Sequence, residues 1–168
     1  NNNTGFVNLG TSHDTSEFAV TSISCWWNAV GKNAFPGAKR IYITCDGGGS
    51  NGSRSRNWKY ELQQLSNDTG LEIMVSHYPP GTSKWNKIEH RMFCYISKNW
   101  QGHPLIDIET VISLISNTTT EKGLTITCQL DKKVYETGHK ISDNELAEIN
   151  IFPCETLGKW NYVIKPQD

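Results

Sequence analysis

The sequence predicts an α/β fold, because segments with strand character alternate with segments that have the apolar spacing of helices. Three stretches rich in β-branched and aromatic residues are each followed by a helical pattern. This order is typical of a domain in which helices pack on a sheet. The 168 residues, of which 36% are hydrophobic and 20% charged, are enough to bury one core.

The first strand and helix lie near the start of the sequence. Residues 5–11 have the character of a short strand, and a helix follows with apolar residues at helical spacing: Ala19, Ile23, Trp26, Trp27 and Val30. Asp14 and Glu17 stand three residues apart ahead of this pattern, as in a capping box. We therefore expect Asp14 to be the N-cap of the first helix.

The second strand leads to the first candidate site residue. Residues 40–45 are mostly β-branched or aromatic, and they run into Asp46 and a series of glycines. Trp58, Leu62 and Leu65 then mark one face of a helix over about residues 55–66, which Gly70 ends. This pattern places Asp46 at the C-terminal tip of a buried strand.

The third strand is followed by a loop and a longer helix. Residues 71–77 alternate apolar and polar side chains, and the prolines and glycine of residues 78–82 impose a loop. Beyond the loop, a helix running to about Trp100 is predicted by the spacing of Trp85, Ile88, Met92 and Ile96.

The remaining sequence adds smaller elements. A helix is expected over residues 107–116, with four inward residues: Ile108, Val111, Ile112 and Ile115. Residues 124–130 alternate as a strand does, Ser142 and Glu145 form a capping-box pair, and residues 160–164 have β character.

Cysteine usage and charge limit the class of protein. The five cysteines are an odd number without a CxxC pair, which argues against a disulfide framework and a zinc site and indicates a reducing cytoplasm. No run approaches the roughly 20 apolar residues of a membrane helix, so we expect no membrane partner. Net charge is −1, yet residues 31–98 carry ten lysines and arginines against five acids. This positive region is where a nucleic-acid partner would bind.

Two acids have the setting of metal ligands. Asp46 follows a strand, and Glu89 lies inside a predicted helix, on the same stripe as Phe93, Ile96 and Trp100. We therefore expect Glu89 to face the protein, where a bound cation would compensate its charge. Mg²⁺ is commonly held by one or two carboxylates plus water and substrate phosphate. Two such ions about 4 Å apart promote phosphodiester chemistry.

The glycines after Asp46 allow a competing interpretation. Gly47-x-Gly49-x-x-Gly52 satisfies the dinucleotide-binding fingerprint between a strand and a helix. A dinucleotide site would need an acid at the end of the next strand, which ends in His77 instead. A phosphate-binding P-loop would need a lysine where Ser53 and Arg54 stand. The glycines are better explained as keeping the backbone beside Asp46 open for substrate.

Further candidates surround the two acids. Lys84, Lys87 and Arg91 recur on one side of the Glu89 helix, with Asn86 among them, and could contact DNA phosphates. An ordinary solvated face explains these cations nearly as well. Asp14 is a third candidate metal ligand, although its expected N-cap position explains it without a metal.

Two sequence blocks carry a family resemblance. Residues 43–52, Ile-Thr-Cys-Asp-Gly-Gly-Gly-Ser-Asn-Gly, and residues 77–91, His-Tyr-Pro-Pro-Gly-Thr-Ser-Lys-Trp-Asn-Lys-Ile-Glu-His-Arg, resemble the ISAzo-type insertion-sequence transposases of the DDE class. The second block is similar to the Pro-rich loop and Asn-x-Ile-Glu motif before the last catalytic acid of many DDE enzymes. The likeness extends over nearly the whole chain.

The resemblance implies a function and a fold. It implies an RNase H-like domain with a mixed sheet and flanking helices, a partial catalytic core over residues 1–120 and a C-terminal extension over residues 121–168. Asp46 and Glu89 would be the second and third catalytic acids, holding Mg²⁺ or Mn²⁺ for cleavage and transfer of DNA at transposon ends. We expect the first strand and first acid to precede Asn1, and the full-length bacterial protein to form homo-oligomers. The alternative is a truncated, inactive relative that still binds nucleic acid.

Overall fold

The computed structural model of the protein describes residues 3–79 and 81–167. In chain order these residues form β1 (Thr4–Gly10), α1 (Ser16–Trp26), α2 (Lys32–Ala34), β2 (Arg40–Cys45), α3 (Arg56–Thr69), β3 (Glu72–His77), α4 (Cys94–Trp100), α5 (Ile108–Ser116), β4 (Thr125–Asp131), α6 (Asp143–Ala147), β5 (Ile151–Pro153) and β6 (Asn161–Ile164). The predicted α/β class is confirmed by this mixture of strands and helices.

The chain divides into two compact units. The first contains the N-terminal segment up to Ser12 together with residues 84–134, and the second contains residues 13–83 together with the segment from Tyr135 onward. These units are defined by their position in space. The division expected between residues 120 and 121 separates a catalytic core from an extension, and it stays a prediction.

The second unit is built on a mixed sheet with the order β2-β3-β6-β5. β2 and β3 are parallel, whereas β6 is antiparallel to both β3 and β5. Inward residues of β3 alternate with half-buried ones, as the sequence predicts, and Ile73 and Val75 are fully buried. The core of this unit therefore lies on the face of the sheet that the helices cover.

Helix α3 covers this sheet with the apolar face that its sequence predicts. Trp58, Leu62 and Leu65 recur at helical spacing and are buried in one cluster with the strands. Ser55 caps the N-terminus by accepting a hydrogen bond from the backbone of Trp58, at 3.2 Å. Gly70 ends the helix with φ 68°, a left-handed conformation that glycine adopts without a steric penalty.

The first unit pairs strands that are distant in the sequence. β1 and β4 are parallel neighbours with Thr4 opposite Thr125. Residues from the helices and from β4 form a second apolar cluster, with Met92, Ile96, Ile115, Leu124 and Ile126 at its centre. A Cβ atom at Gly5 would collide with the sulfur of Met92, so a side chain at that position would require the Met92 side chain to shift.

Two sequence expectations about helix α1 and helix α5 are wrong in detail. Thr15 is the N-cap of α1, because its hydroxyl accepts a hydrogen bond from the Phe18 backbone at 3.1 Å, whereas Asp14 lies outside the helix and is exposed. The helix begins one residue later than the Asp14–Glu17 spacing suggests. In α5, Ile115 is buried but Ile108 is exposed. Ile108 is the first residue of the helix, and the packed turns lie after it.

The predicted helix over residues 85–100 is also not regular. A 3₁₀ turn (Ser83–Trp85) and a π-helical turn (Glu89–Phe93) precede α4. A π turn takes one residue more than an α turn, so the α-helical stripe through Glu89 is broken. Met92 and Ile96 are buried, whereas Phe93 is 39% exposed and Glu89 is exposed. The expectation that Glu89 faces the protein interior is therefore wrong.

The loop predicted for residues 78–82 is described except at Pro80, which lies outside the described residues. Thr82 donates hydrogen bonds from its backbone and its hydroxyl to the carbonyl of Pro79, at 3.2 and 2.6 Å. The other small elements agree with the sequence: Ser142 and Glu145 form the capping box of α6, and β4 alternates as expected.

Candidate metal site at the end of strand β2

Asp46 directly follows the last residue of β2, where three strands lie side by side. Cys45 is in register with His77, and the backbone N–H of Tyr78 donates to the carbonyl of Cys45 at 2.8 Å. On the other side of β3, the N–H of His77 donates to the carbonyl of Trp160 at 3.0 Å. Hydrogen bonds therefore fix the backbone from which Asp46 leaves the sheet.

The carboxylate of Asp46 is available to a ligand. Its side chain is exposed, and no hydrogen bond or ion pair to it is found among residues 3–79 and 81–167. An unpaired carboxylate on a rigid strand end is a hard oxygen donor of the kind that Mg²⁺ and Mn²⁺ bind.

The glycine loop after Asp46 borders open space. Gly49 has φ 66°, and a Cβ atom at Gly47 would approach the carbonyl oxygen of Tyr78 to 3.3 Å. The loop forms one side of a pocket of about 400 Å³ that is lined by Gly47, Gly49, Gly52, Ser53, Arg54, Ser55, Tyr78 and Trp160. Arg54 is exposed, and the described residues offer it no carboxylate partner. A pocket with a free cation and two aromatic rings suits a nucleotide and its phosphate.

A chain of buried polar side chains lies behind Asp46. The indole N–H of Trp58 donates to the hydroxyl of Tyr162 at 3.0 Å, and that hydroxyl lies 3.0 Å from Nε2 of His77. Nδ1 of His77 lies 3.3 Å from Sγ of Cys45 and 3.5 Å from the carbonyl oxygen of Asp46. The chain therefore links α3, β6 and β3 to the side chain of Cys45 and the backbone carbonyl of Asp46.

Burial keeps the members of this chain uncharged near neutral pH. It lowers the pKa of His77, an effect only partly opposed by the hydrogen bond to the Asp46 backbone. Burial, with a smaller contribution from the negative charge of Asp46, raises the pKa of Cys45 to about 12. The pKa of Tyr162 is also raised, mainly by burial.

Little in the sequence predicts this hydrogen-bond chain. His77 stands out only as the first residue of the second family block, and Trp58 has the pattern of an ordinary core residue. Trp58 and Tyr162 are 104 residues apart. Sequence spacing carries no signal for a hydrogen bond across such a distance.

Glu89 belongs to the first unit and begins the π-helical turn. Its backbone N–H donates to the carbonyl of Asn86 at 3.2 Å, and its side chain is exposed without a hydrogen-bonding or ionic partner among the described residues. Nε2 of His90 lies 2.6 Å from the carbonyl oxygen of Lys84, which ties the 3₁₀ turn to the π turn. The Glu89 carboxylate is thus also free to bind a cation.

The candidate DNA contacts lie around Glu89 in the same unit. Lys84, Lys87 and Arg91 are exposed, and their charges meet no acid within the part of the chain that the structure describes. Asn86 is half-buried, and its Oδ1 faces the backbone N–H of Ile88 at 3.5 Å. Trp85, which the sequence predicts as a packed residue, is 57% exposed between the two lysines.

The described residues do not bring a complete ligand set together. No group of three or more His, Cys, Asp or Glu side chains that could hold a metal is found in residues 3–79 and 81–167. Asp14 is exposed in the segment before α1, and its role as a ligand stays a prediction. Mg²⁺ requires only one or two carboxylates when water and phosphate supply the other ligands, so the exposed acids fit this ion.

Comparison with protein families decides the class of protein. The family described as the Rhodopirellula transposase DDE domain matches residues 1–166. The chain belongs to this DDE transposase family. Comparisons with curated proteins and with solved structures gave no match.

The family membership confirms the resemblance seen in the two sequence blocks. A transposase domain implies DNA as its partner, and divalent metals are general cofactors of DDE transposases. No helix in the described part of this transposase is both long enough and apolar enough to cross a membrane.

Proposed function

We propose that this transposase cuts and joins DNA strands at the ends of an insertion sequence, with Asp46 and Glu89 as ligands of Mg²⁺ or Mn²⁺. The observation that carries the proposal is the unpaired carboxylate of Asp46 at a hydrogen-bonded strand end, beside an open glycine-lined pocket, in a chain of the DDE family. The parallel β2–β3 pair and the helices on the mixed sheet support an RNase H-like core.

Different residues of the protein would have different roles in the reaction. When bound, the ions would activate the attacking water or DNA 3′-hydroxyl and stabilise the leaving oxygen. Asp46 holds its ligand position at the end of β2, and Arg54 neutralises a phosphate at the pocket. Tyr78 and Trp160 offer faces on which an unpaired base stacks. The glycines let the DNA backbone approach without meeting side chains.

We also propose that the protein acts in the cytoplasm and assembles into oligomers. None of the five cysteines forms a disulfide within the described residues, as suits a reducing bacterial cytoplasm. Assembly into homo-oligomers on paired transposon ends would follow from the family's way of acting.

Metal dependence is the first test. We expect Mn²⁺ to bind the protein in calorimetry, and Mg²⁺ or Mn²⁺ to support nicking of duplex DNA that carries the insertion-sequence end. Chelation with EDTA should abolish nicking, and an excess of Mg²⁺ should restore it. Nicking that persists in EDTA would contradict the proposal. DNA binding without nicking in Mg²⁺ or Mn²⁺ would support the inactive, nucleic-acid-binding relative instead.

The cations around Glu89 give a separate prediction about DNA binding. If Lys84, Lys87 and Arg91 each contact one phosphate, each change to alanine should lower the slope of log affinity against log salt by about 0.9. The matched control is Lys122→Ala, an exposed lysine of the same unit outside this group. Fluorescence anisotropy over a salt series measures the slope. Equal slopes for all four variants and the wild type would show that these cations form an ordinary solvated face.

A further inference from the structure

We propose that Trp58, Tyr162 and His77 form a hydrogen-bond chain in which each residue donates to the next. The chain ends on the Cys45–Asp46 segment and holds Asp46 in position. His77 and Tyr162 would be positioning residues for Asp46. This inference rests on the proposed function only in taking Asp46 to be a metal ligand. The order of donors and acceptors in the chain is a separate claim with its own test.

The direction of the chain starts at Trp58, because an indole N–H is a donor and never an acceptor. The Tyr162 oxygen therefore accepts from Trp58 at 3.0 Å, and the hydroxyl proton remains to be donated. The nearest partner is Nε2 of His77, also at 3.0 Å. A proton on Nε2 would make the Tyr162 oxygen accept twice and leave its own proton unpaired. Because Tyr162 is only 1% exposed, that arrangement is unfavourable.

The neutral imidazole must then carry its proton on Nδ1. This nitrogen faces Sγ of Cys45 at 3.3 Å and the carbonyl oxygen of Asp46 at 3.5 Å. The N–H therefore points at the last residue of β2 and the first residue of the loop. Each member of the chain comes from a different element, so the whole chain depends on the packing of α3, β3 and β6.

The hydrogen-bond chain matters for Asp46 because the residues that follow it give its backbone little support. The residues that follow are glycines, which have no side chains to pack and restrict the backbone least. The carboxylate itself has no hydrogen-bonding partner among the described residues. Partners that orient a metal ligand from behind commonly contribute 10–100-fold in metal affinity.

The first experiment tests the direction of the chain without any metal. Long-range ¹H–¹⁵N correlation spectra of the metal-free protein, with His77 assigned by comparison with a His77→Asn variant, distinguish the two imidazole tautomers. We expect His77 to carry its proton on Nδ1 and to have a pyridine-like Nε2. A protonated Nε2 would overturn the proposed direction. In Tyr162→Phe the preference for this tautomer should weaken.

The second experiment tests positioning by calorimetric titration of Mn²⁺ into four variants. The side-chain amide of asparagine reaches the place of Nδ1, whereas that of glutamine reaches the place of Nε2. We therefore expect His77→Gln and Tyr162→Phe to weaken Mn²⁺ binding about 10–100-fold, and His77→Asn to stay within about threefold of the wild type. Tyr60→Phe is the control, because Tyr60 is a half-buried tyrosine of α3 outside the chain.

The outcomes separate the positioning role from the proposed function. Wild-type affinity in His77→Gln and Tyr162→Phe would overturn the positioning role even if Asp46 proves to be a ligand. Equal losses in His77→Asn and His77→Gln would overturn it too, since a general packing defect does not depend on which nitrogen is replaced. A wild-type protein that binds no Mn²⁺ would instead contradict the proposed function, while the spectra would still decide the direction of the chain.

Discussion

The Asp46→Asn variant should lose Mn²⁺ binding and DNA nicking while keeping its fold. Asparagine has nearly the shape of aspartate but lacks the negative charge that attracts a divalent cation. Because the Asp46 side chain is exposed and has no partner within the described chain, its replacement removes no native contact. Metal catalysis commonly supplies several kcal/mol of transition-state stabilisation, so the nicking rate should fall by about 10³ or more. Calorimetry and single-turnover nicking measure the two effects.

Two further variants complete this test. Asp68→Asn is the matched control, because Asp68 is an exposed acid of α3 in the same unit, and we expect unchanged binding and nicking. Glu89→Gln should reproduce the loss seen with Asp46→Asn if both carboxylates serve the same reaction. A loss in Asp46→Asn with full activity in Glu89→Gln would leave Asp46 as a ligand and remove Glu89 from the proposal. Normal Mn²⁺ binding in Asp46→Asn would refute the site itself.

The features that sequence predicts well are those set by neighbouring residues. The strand over residues 40–45, the alternation of β3, the capping box at Ser142 and the end of α3 at Gly70 all agree with the structure. Each depends on side-chain spacing of two to four residues or on the backbone freedom of a single glycine. The position of Asp46 at a strand end belongs to this group, since it follows from the strand boundary alone.

The features that sequence predicts poorly depend on tertiary contacts. The predicted inward direction of Glu89 is wrong because a π-helical turn begins at Glu89 and breaks its helical spacing to the residues that follow. The pairing of β1 with β4 joins Thr4 to Thr125, and no local pattern identifies such a partner. No local pattern identifies the hydrogen-bond chain from Trp58 to Cys45 either, because its members are far apart in the sequence. Site chemistry that relies on support from distant segments therefore requires the folded structure.

A large loss of stability is expected from Leu62→Ala in helix α3. Leu62 is 0% exposed, at the centre of the apolar cluster of the second unit. Removing three carbon atoms from such a site loses apolar burial and leaves a cavity, so the free energy of unfolding should fall by about 2–5 kcal/mol. Urea denaturation followed by far-UV circular dichroism measures this change.

Leu157→Ala is the control for this substitution, because Leu157 lies in the same unit and is 63% exposed. Its φ of 52° is equally strained for leucine and alanine, so the change should alter the free energy of unfolding by less than about 0.5 kcal/mol. Similar effects at both positions would contradict the assigned core.

Leu62 stands four residues after Trp58, on the same face of α3. Trp58, Leu62 and Tyr162 lie in the same apolar cluster, so, given the proposed positioning role, Leu62→Ala should also weaken Mn²⁺ binding at temperatures where the variant remains folded.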